Sequence, residues 1–336
     1  MEAPGKPVFP SFGLDVLDAA SVPYRILDRF DPEYSSEQLR GLDVVLSLKP
    51  RVTRESLRGN EDRLIGVGRY GVGYDNVDLA ACTDANVCVY ITPEAVVRPM
   101  ASTIVLFVLA LSHNLVWKDK LVRQGRWKES IKTLGIEPRE RVVGTIGFGN
   151  IASAAFKLLR GFDIGRFLAC DPFVSEERAA ELGVELVSMD RLLRESDYVL
   201  VNCPLTPQTR ALIGEREFQL MKPSAFFINT ARGPIVDQAA LIRVLQENRI
   251  RGAALDVFEQ EPLPDDSPLT KLENVVLTSH SLGWTEQLFR DMGRDACGGA
   301  LALGRGEVPR HVVNREVLEK PEFRSKLQRL AAGRIG

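Results

Sequence analysis

Histidine is scarce in this chain. Only His113, His280 and His311 occur among 336 residues, so any imidazole acid or base must be one of these three. Cysteine is also sparse: Cys82, Cys88, Cys170, Cys203 and Cys297 form no CxxC pair. An odd count at such spacings argues against a disulfide framework and against a zinc site, and suits reduced, mostly buried thiols. No metal is therefore expected. Neither sign of charge dominates, with 43 basic and 45 acidic residues for a net charge of −2. Such a balance exerts no general pull toward nucleic acid or anionic membrane. Long apolar runs are missing as well. The opening MEAPGKPVFPSFG has no apolar core of signal-peptide length, and the most apolar run, 104–111, is too short to span a bilayer. These absences point to a cytoplasmic protein with neither a nucleic-acid nor a membrane partner.

What is present is an alternation of short apolar runs with helical stretches. Residues 44–46, 64–67 and 87–90 read as buried parallel strands, with helical segments between them. Pro93 and Pro99 punctuate the chain, and 101–127 then reads as one long helix, apolar at first and charged later. A polar stretch, 128–141, leads into a second set of strand signals at 142–146, 167–170, 198–201, 225–229 and 275–277. The pattern predicts an α/β chain of two doubly wound parallel-sheet domains, in keeping with a length beyond that of one core. The tail after Asn314 is charged and helical in pattern.

Gly147-Phe148-Gly149-Asn150-Ile151-Ala152 follows an apolar strand and opens a helix, as a G-x-G-x-x-G/A dinucleotide fingerprint requires. Glycine at 147 permits the tight turn. Glycine at 149 lets a pyrophosphate approach the backbone at a positive helix terminus. Asp171 ends the next strand, where a carboxylate accepts from both ribose hydroxyls and repels a 2′-phosphate. The expected cofactor is therefore NAD rather than NADP. The fingerprint alone would suit a glycine turn in any βα unit; strand, helix and acid falling in register carry the dinucleotide reading.

Three later segments each place a polar group just after a strand: 229–233, 255–262 and 278–284. Ligands of open α/β sheets bind at the carboxyl ends of strands, so the three loops can converge. A 2-oxo acid needs its carboxylate held, its carbonyl polarised and a proton supplied as hydride arrives. Arg232 suits the first two tasks by forked, charge-assisted bonds, and His280 suits the third near neutral pH. Glu261 beside it would favour the imidazolium. Taken singly, each has a plainer reading, as a salt-bridged arginine, a loop carboxylate before proline, or an unremarkable histidine. His113 and His311 are read as structural.

Together with GRYGVGYDNVDLAA (68–81), VVGTIGFGNIA (142–152), NCPLTPQTRALI (202–213), INTARGPIVDQAAL (228–241), GAALDVFEQEPLP (252–264) and TSHSLGWTEQ (278–287), these residues give the chain its resemblance. It resembles the D-isomer-specific 2-hydroxyacid dehydrogenases, the family of phosphoglycerate dehydrogenase and glyoxylate/hydroxypyruvate reductase, from about residue 40 to 314. The resemblance implies an NAD(H)-dependent oxidoreductase moving a hydride to or from C2 of a small 2-oxo or D-2-hydroxy acid. Arg232, Glu261 and His280 would be catalytic. Tyr70, Gly71, Val72 and Gly73 would offer backbone N–H groups to the substrate carboxylate, beside Arg232. Gly147, Gly149, Asn150, Ile151, Asp171, Cys203, Pro204, Thr230, Ala231 and Asp256 would line the cofactor cleft, with Asp256 on the nicotinamide carboxamide. A Rossmann NAD-binding domain, 113–290, would be inserted into a flavodoxin-like substrate domain made of 1–112 and 291–336. A homodimer built on a helix like 101–127 is implied too.

The chain departs from the family in places. Ser102 stands where many members carry glutamate, and Trp284 where smaller residues are common. Arg69 matches an arginine that meets the phosphate in phosphoglycerate dehydrogenases, but Ser47 stands where those enzymes often have a second arginine. Trp284 also keeps an alternative open, an NAD(H)-binding corepressor-like interaction protein with little turnover.

Overall fold

The computed structural model describes residues 12–27 and 31–333, so most of the opening segment lies outside the described residues. The chain forms two compact units, one of residues 97–283 and one of residues 1–96 with 284–336. The expected boundaries at 112 and 290 put the helix that follows Pro93 in the first unit; by contacts, most of it belongs with 97–283.

The unit of 97–283 is built on seven strands: β4 (Val142–Ile146), β5 (Arg166–Cys170), β6 (Glu185–Leu186), β7 (Tyr198–Val201), β8 (Phe226–Asn229), β9 (Gly252–Leu255) and β10 (Val275–Leu277). All run parallel, in the order β10-β9-β8-β7-β4-β5-β6. The order reverses direction between β4 and β7, the switch point at which doubly wound sheets open a ligand crevice. The strands read as unbroken apolar runs because both faces are covered. Along β7, Val199 and Val201 enter one core with Ile146, Phe227 and Leu255, while Tyr198 and Leu200 enter another with Val143, Phe167 and Ile228. A period of two thus sorts a uniformly apolar strand onto two helix layers.

The second unit holds the strands that precede these: β1 (Val44–Ser47), β2 (Gly66–Arg69) and β3 (Cys88–Tyr90), parallel and in sequence order. One face packs against short helices through Leu39, Leu57, Ala81 and Cys82. The other face takes helix Glu286–Gly304 and the tail helix Pro321–Ala332, through Leu303, Phe323 and Leu327. The charged tail is therefore helical and closes a core.

One expectation fails. Residues 101–127 are not a single helix. A helix runs Pro93–Ser112, a second runs Leu115–Arg123, and a third begins at Trp127. The first starts earlier because proline suits the first helical position, and Pro99 inside it forfeits one ladder bond. It stops because Asn114 turns left-handed at φ +53°, while the Ser112 carbonyl accepts from Ile136 N–H at 2.8 Å. With 20 residues, the helix is long and apolar enough by composition to cross a membrane, contrary to the short run read from sequence. Here Ala101, Ile104, Phe107, Val108 and Leu111 bury that apolar face in a core.

The tail is held by polar groups as well. Asn314 accepts from Val89 N–H at 2.8 Å and donates to the Val87 carbonyl at 2.9 Å. Lys326 donates to the Leu64 and Ala85 carbonyls, both at 2.9 Å, and burial pulls its pKa from the ordinary 10.5 down to about 8. Between those two values the unfolded chain holds the lysine proton and the folded chain does not, so stability rises with pH across that window. Lys326→Met should remove this rise. Urea titrations of both proteins from pH 7.5 to 10.5 check it; parallel curves would refute it.

Candidate active site

At the carboxyl end of β4 the chain turns at Gly147, where φ is +87° and a Cβ would lie 2.6 Å from the Cys203 backbone nitrogen. Only glycine tolerates both conditions. Gly149 then caps helix Asn150–Leu159 without a side chain, and the space that a Cβ would enter is open. A helix N-terminus behind such a cradle fits a pyrophosphate. Asp171 is stitched to this turn: one carboxylate oxygen accepts from Phe148 N–H and the other from Phe173 N–H, each at 2.8 Å. Each oxygen keeps a further lone pair, which suits two ribose hydroxyls.

The crevice floor follows from β7. Asn202 donates to Thr145 Oγ1 at 2.9 Å, and Thr145 donates to the Gly147 carbonyl at 2.8 Å. Sequence reading missed both residues. Their signal is a polar side chain inside an otherwise apolar strand and one just past a strand end. Cys203 is buried, and burial pushes its thiol up to about 11. Pro204 is exposed beside it, its carbonyl accepting from Thr209 Oγ1 at 2.6 Å. All five cysteines are free, and among the described residues no three metal-ligating side chains gather.

Beyond β8, the buried Asn229 closes a tight loop around Thr230, Ala231 and Arg232. Its amide oxygen accepts from Ala231 N–H and its nitrogen donates to the Arg232 carbonyl, both at 3.0 Å. Gly233 packs so closely on the next loop that a Cβ would sit 1.9 Å from the Phe258 carbonyl carbon. That contact locks the arginine loop against the loop after β9. There Glu261 accepts from Phe258 N–H at 3.1 Å through one oxygen and meets His280 Nδ1 at 2.7 Å through the other. Burial raises the Glu261 pKa, but the His280 hydrogen bond and charge, the Phe258 N–H and the Arg232 charge outweigh it and hold the carboxyl below its ordinary 4.5.

His280 itself is left-handed, at φ +53°. Asp256 explains how that conformation is kept. It is 2% exposed, and one oxygen accepts from Thr278 Oγ1 at 2.5 Å, Ser281 N–H at 3.1 Å and Leu282 N–H at 3.3 Å. The loops after β9 and β10 thus bring carboxylate and imidazole into contact within one unit, while the Arg232 guanidinium donates to the Ala231 carbonyl at 2.7 Å and lowers the Glu261 pKa through its charge.

In the other unit, the loop of 70–73 is tightly held. Tyr70 N–H donates to the Ser47 carbonyl at 2.9 Å, and Gly71 N–H donates to Thr92 Oγ1 at 2.8 Å. Two of the four expected donors are therefore used internally, and the N–H groups of Val72 and Gly73 remain. Of the other histidines, His311 meets Glu94 at 2.6 Å through Nε2, while His113 sits exposed at a helix end. Trp284 packs edge-on against Phe289.

Residues 105–281 match the sequence profile of the D-isomer specific 2-hydroxyacid dehydrogenase NAD binding domain. A glyoxylate reductase of Korarchaeum cryptofilum is 37% identical over 84% of this chain and 86% of its own length. A D-3-phosphoglycerate dehydrogenase of Archaeoglobus fulgidus is 33% identical over 96% of this chain, which spans 61% of that protein. Among solved structures, a D-isomer specific 2-hydroxyacid dehydrogenase of Lactobacillus delbrueckii ssp. bulgaricus in its NAD-complexed form superposes with a TM-score of 0.74. It is 25% identical, covering 90% of this chain and 96% of that one. With the profile falling inside the unit of 97–283 and relatives aligned along most of the sequence, the chain belongs to the D-isomer specific 2-hydroxyacid dehydrogenase family, as an NAD-dependent oxidoreductase.

Proposed function

We propose that this enzyme interconverts small 2-oxo acids, of the size of glyoxylate or hydroxypyruvate, and their D-2-hydroxy acids, with His280 as acid and base. The contact of 2.7 Å between Glu261 and His280 Nδ1 carries the reading, because it fixes the ring and leaves Nε2 to exchange a proton. Bound NADH supplies the hydride that reaches C2. As C2 is reduced, its carbonyl oxygen gains negative charge and takes the proton from His280 Nε2, giving the hydroxyl. Arg232 holds the carboxylate and draws the carbonyl oxygen toward its guanidinium. Val72 and Gly73 lend their N–H groups to the carboxylate.

Glu261 stays ionised through neutral pH, since its pKa is held below 4.5. That anion holds the imidazole by Nδ1 and leaves Nε2 for the substrate. The unit of 97–283 serves as the cofactor domain, and the remainder as the substrate domain. The glyoxylate reductase among the relatives supports a two-carbon or three-carbon acid.

A homodimer is part of the reading. Leu106, Leu115, Val116, Val122, Trp127, Ile131 and Leu134 are all exposed on helices Pro93–Ser112 and Leu115–Arg123 and the segment after them. Apolar surface gathered this way marks an interface. Five free thiols suit the reducing cytoplasm, where we place the enzyme.

Arg232→Ala should raise KM and lower kcat, cutting kcat/KM by roughly 10²–10³, the loss seen when one charge-stabilising donor is removed. Steady-state NADH oxidation with glyoxylate measures it, and unchanged kinetics would take Arg232 out of the reaction. NADH binding without turnover of any 2-oxo acid would instead favour the corepressor-like alternative. Glu261→Gln should lower kcat with KM changing less, because the imidazole loses the carboxylate that orients it through Nδ1. An unchanged kcat in the same NADH-oxidation assay rules out the pairing as what orients the proton donor. Gel filtration with light scattering on the cytosolic fraction should find twice the chain's mass; a monomer at micromolar concentration refutes the dimer.

A further inference from the structure

His311 forms a second pair of imidazole and carboxylate, separate from that of His280. The segment of 311–313 runs antiparallel beside the end of β3, with Val312 bridging Tyr90. Val313 N–H donates to the Val89 carbonyl at 2.8 Å, and Ile91 N–H donates to the His311 carbonyl at 3.3 Å. His311 is left-handed there, at φ +56°, and its Nε2 meets Glu94 Oε1 at 2.6 Å. Arg310 Nη2 donates to the same oxygen at 2.7 Å. Burial raises the Glu94 pKa, but its own backbone N–H, the His311 ring and the Arg310 charge outweigh it and hold the carboxyl below its ordinary 4.5. An ionised carboxylate only accepts, so His311 Nε2 carries the hydrogen and donates it.

The two donors are unequal. The Arg310 side chain is 80% exposed and that of His311 34%, and an ion pair in open solvent is worth little. The imidazole is therefore the firmer hold on Glu94. Asp295, on helix Glu286–Gly304, adds a further negative charge to the cluster. Burial, and after it the Glu94 charge, keeps the Asp295 carboxyl above its ordinary 3.8. Without His311, Glu94 would face that charge with one solvent-exposed partner.

What Glu94 steadies lies two residues back. Thr92 is 1% exposed. Its N–H donates to the Gly71 carbonyl at 3.0 Å, and its Oγ1 accepts from Gly71 N–H at 2.8 Å. The same hydroxyl donates to the Arg69 carbonyl at 3.4 Å. One buried residue thus sets the backbone on both sides of Tyr70. Residues 91–94 form a short strut, with the loop of 70–73 on one side and residues 310–311 on the other, all inside one unit. A shift of the strut carries Gly71 with it, and with Gly71 the N–H groups of Val72 and Gly73.

We infer that His311 is a positioning residue for substrate binding: its ring fixes Glu94, Glu94 fixes the strut of 91–94, and Thr92 passes that fixity to the loop of 70–73. The inference rests on the reaction proposed above, which gives this loop the substrate carboxylate.

Full-length enzyme with NADH and glyoxylate tests it through two substitutions. His311→Asn suits the left-handed backbone but is too short to reach Glu94. His311→Gln keeps an N–H donor near the place of Nε2. The asparagine variant should raise KM about three- to tenfold, the range for couplings passed through a packed network, with kcat unchanged. NADH affinity, read by fluorescence titration, should not move. The glutamine variant should restore KM to within about twofold of the wild type. Glu94→Ala should raise KM as His311→Asn does, and the two together should add nothing further. An unaltered KM in His311→Asn, a loss confined to kcat, or full additivity with Glu94→Ala overturns the inference and leaves the reaction standing. Turnover of no 2-oxo acid by the wild type overturns the reaction instead, and amide hydrogen exchange over residues 66–76 then decides the inference. Faster exchange in His311→Asn but not in His311→Gln supports it, and equal exchange in all three proteins overturns it.

Discussion

One buried carboxylate sets the geometry of the candidate site. Asp256 ends the β9 strand almost fully out of solvent, and one of its oxygens gathers a hydroxyl and two backbone N–H groups from the loop after β10. An ionised group in such a place is tolerable only when its lone pairs are satisfied, so the loop has little freedom to move away. That constraint holds His280 in a left-handed conformation that a non-glycine residue rarely adopts unaided, and so puts Nδ1 on Glu261. The cofactor-contacting role expected for Asp256 is thus joined by a positioning one, carried by the oxygen that faces the loop.

The same logic runs through the neighbouring loops. Asn229 closes the turn that displays Arg232, and Gly233 has no side chain, which lets this turn press against Phe258. Phe258 in turn donates its N–H to Glu261. From Arg232 to His280 the path is therefore a continuous set of contacts through backbone and short side chains, with few rotatable bonds. Side chains held this way have little further entropy to lose when a ligand arrives.

Much of this was legible from the sequence, for identifiable reasons. The glycine fingerprint, the acid after the next strand and the three polar loops are local patterns in which residue type answers a local demand, such as the positive φ at Gly147 and the carboxylate of Asp171 that accepts from two backbone N–H groups. The strands were readable because burial on both faces leaves unbroken apolar runs. What failed depended on tertiary partners. The helix of Pro93–Ser112 was placed too late, because a proline at the first helical position looks the same in sequence as one that ends a helix. Its break at Asn114 follows from a bond between Ser112 and Ile136 that no local pattern announces. Likewise a sequence shows four N–H groups in the loop of 70–73, but not that Ser47 and Thr92 take two of them.

Arg69 shows most sharply why substrate identity is harder to read than reaction type. The reaction needs a proton donor, an anion holder and a dinucleotide cradle, and each is a side-chain requirement that leaves a residue-type signature. What an arginine can still offer a ligand depends on which of its donors are already spent. An arginine beside the loop of 70–73 reads as an anion receptor until its three nitrogens are followed to the carbonyls of Ser47, Leu48 and Gly73. Loops at strand ends expose backbone oxygens that must find donors, and a long, five-donor side chain is the cheapest way to satisfy several at once. The same residue type can therefore serve the backbone in one chain and the substrate in another. Only the hydrogen-bond inventory separates the two.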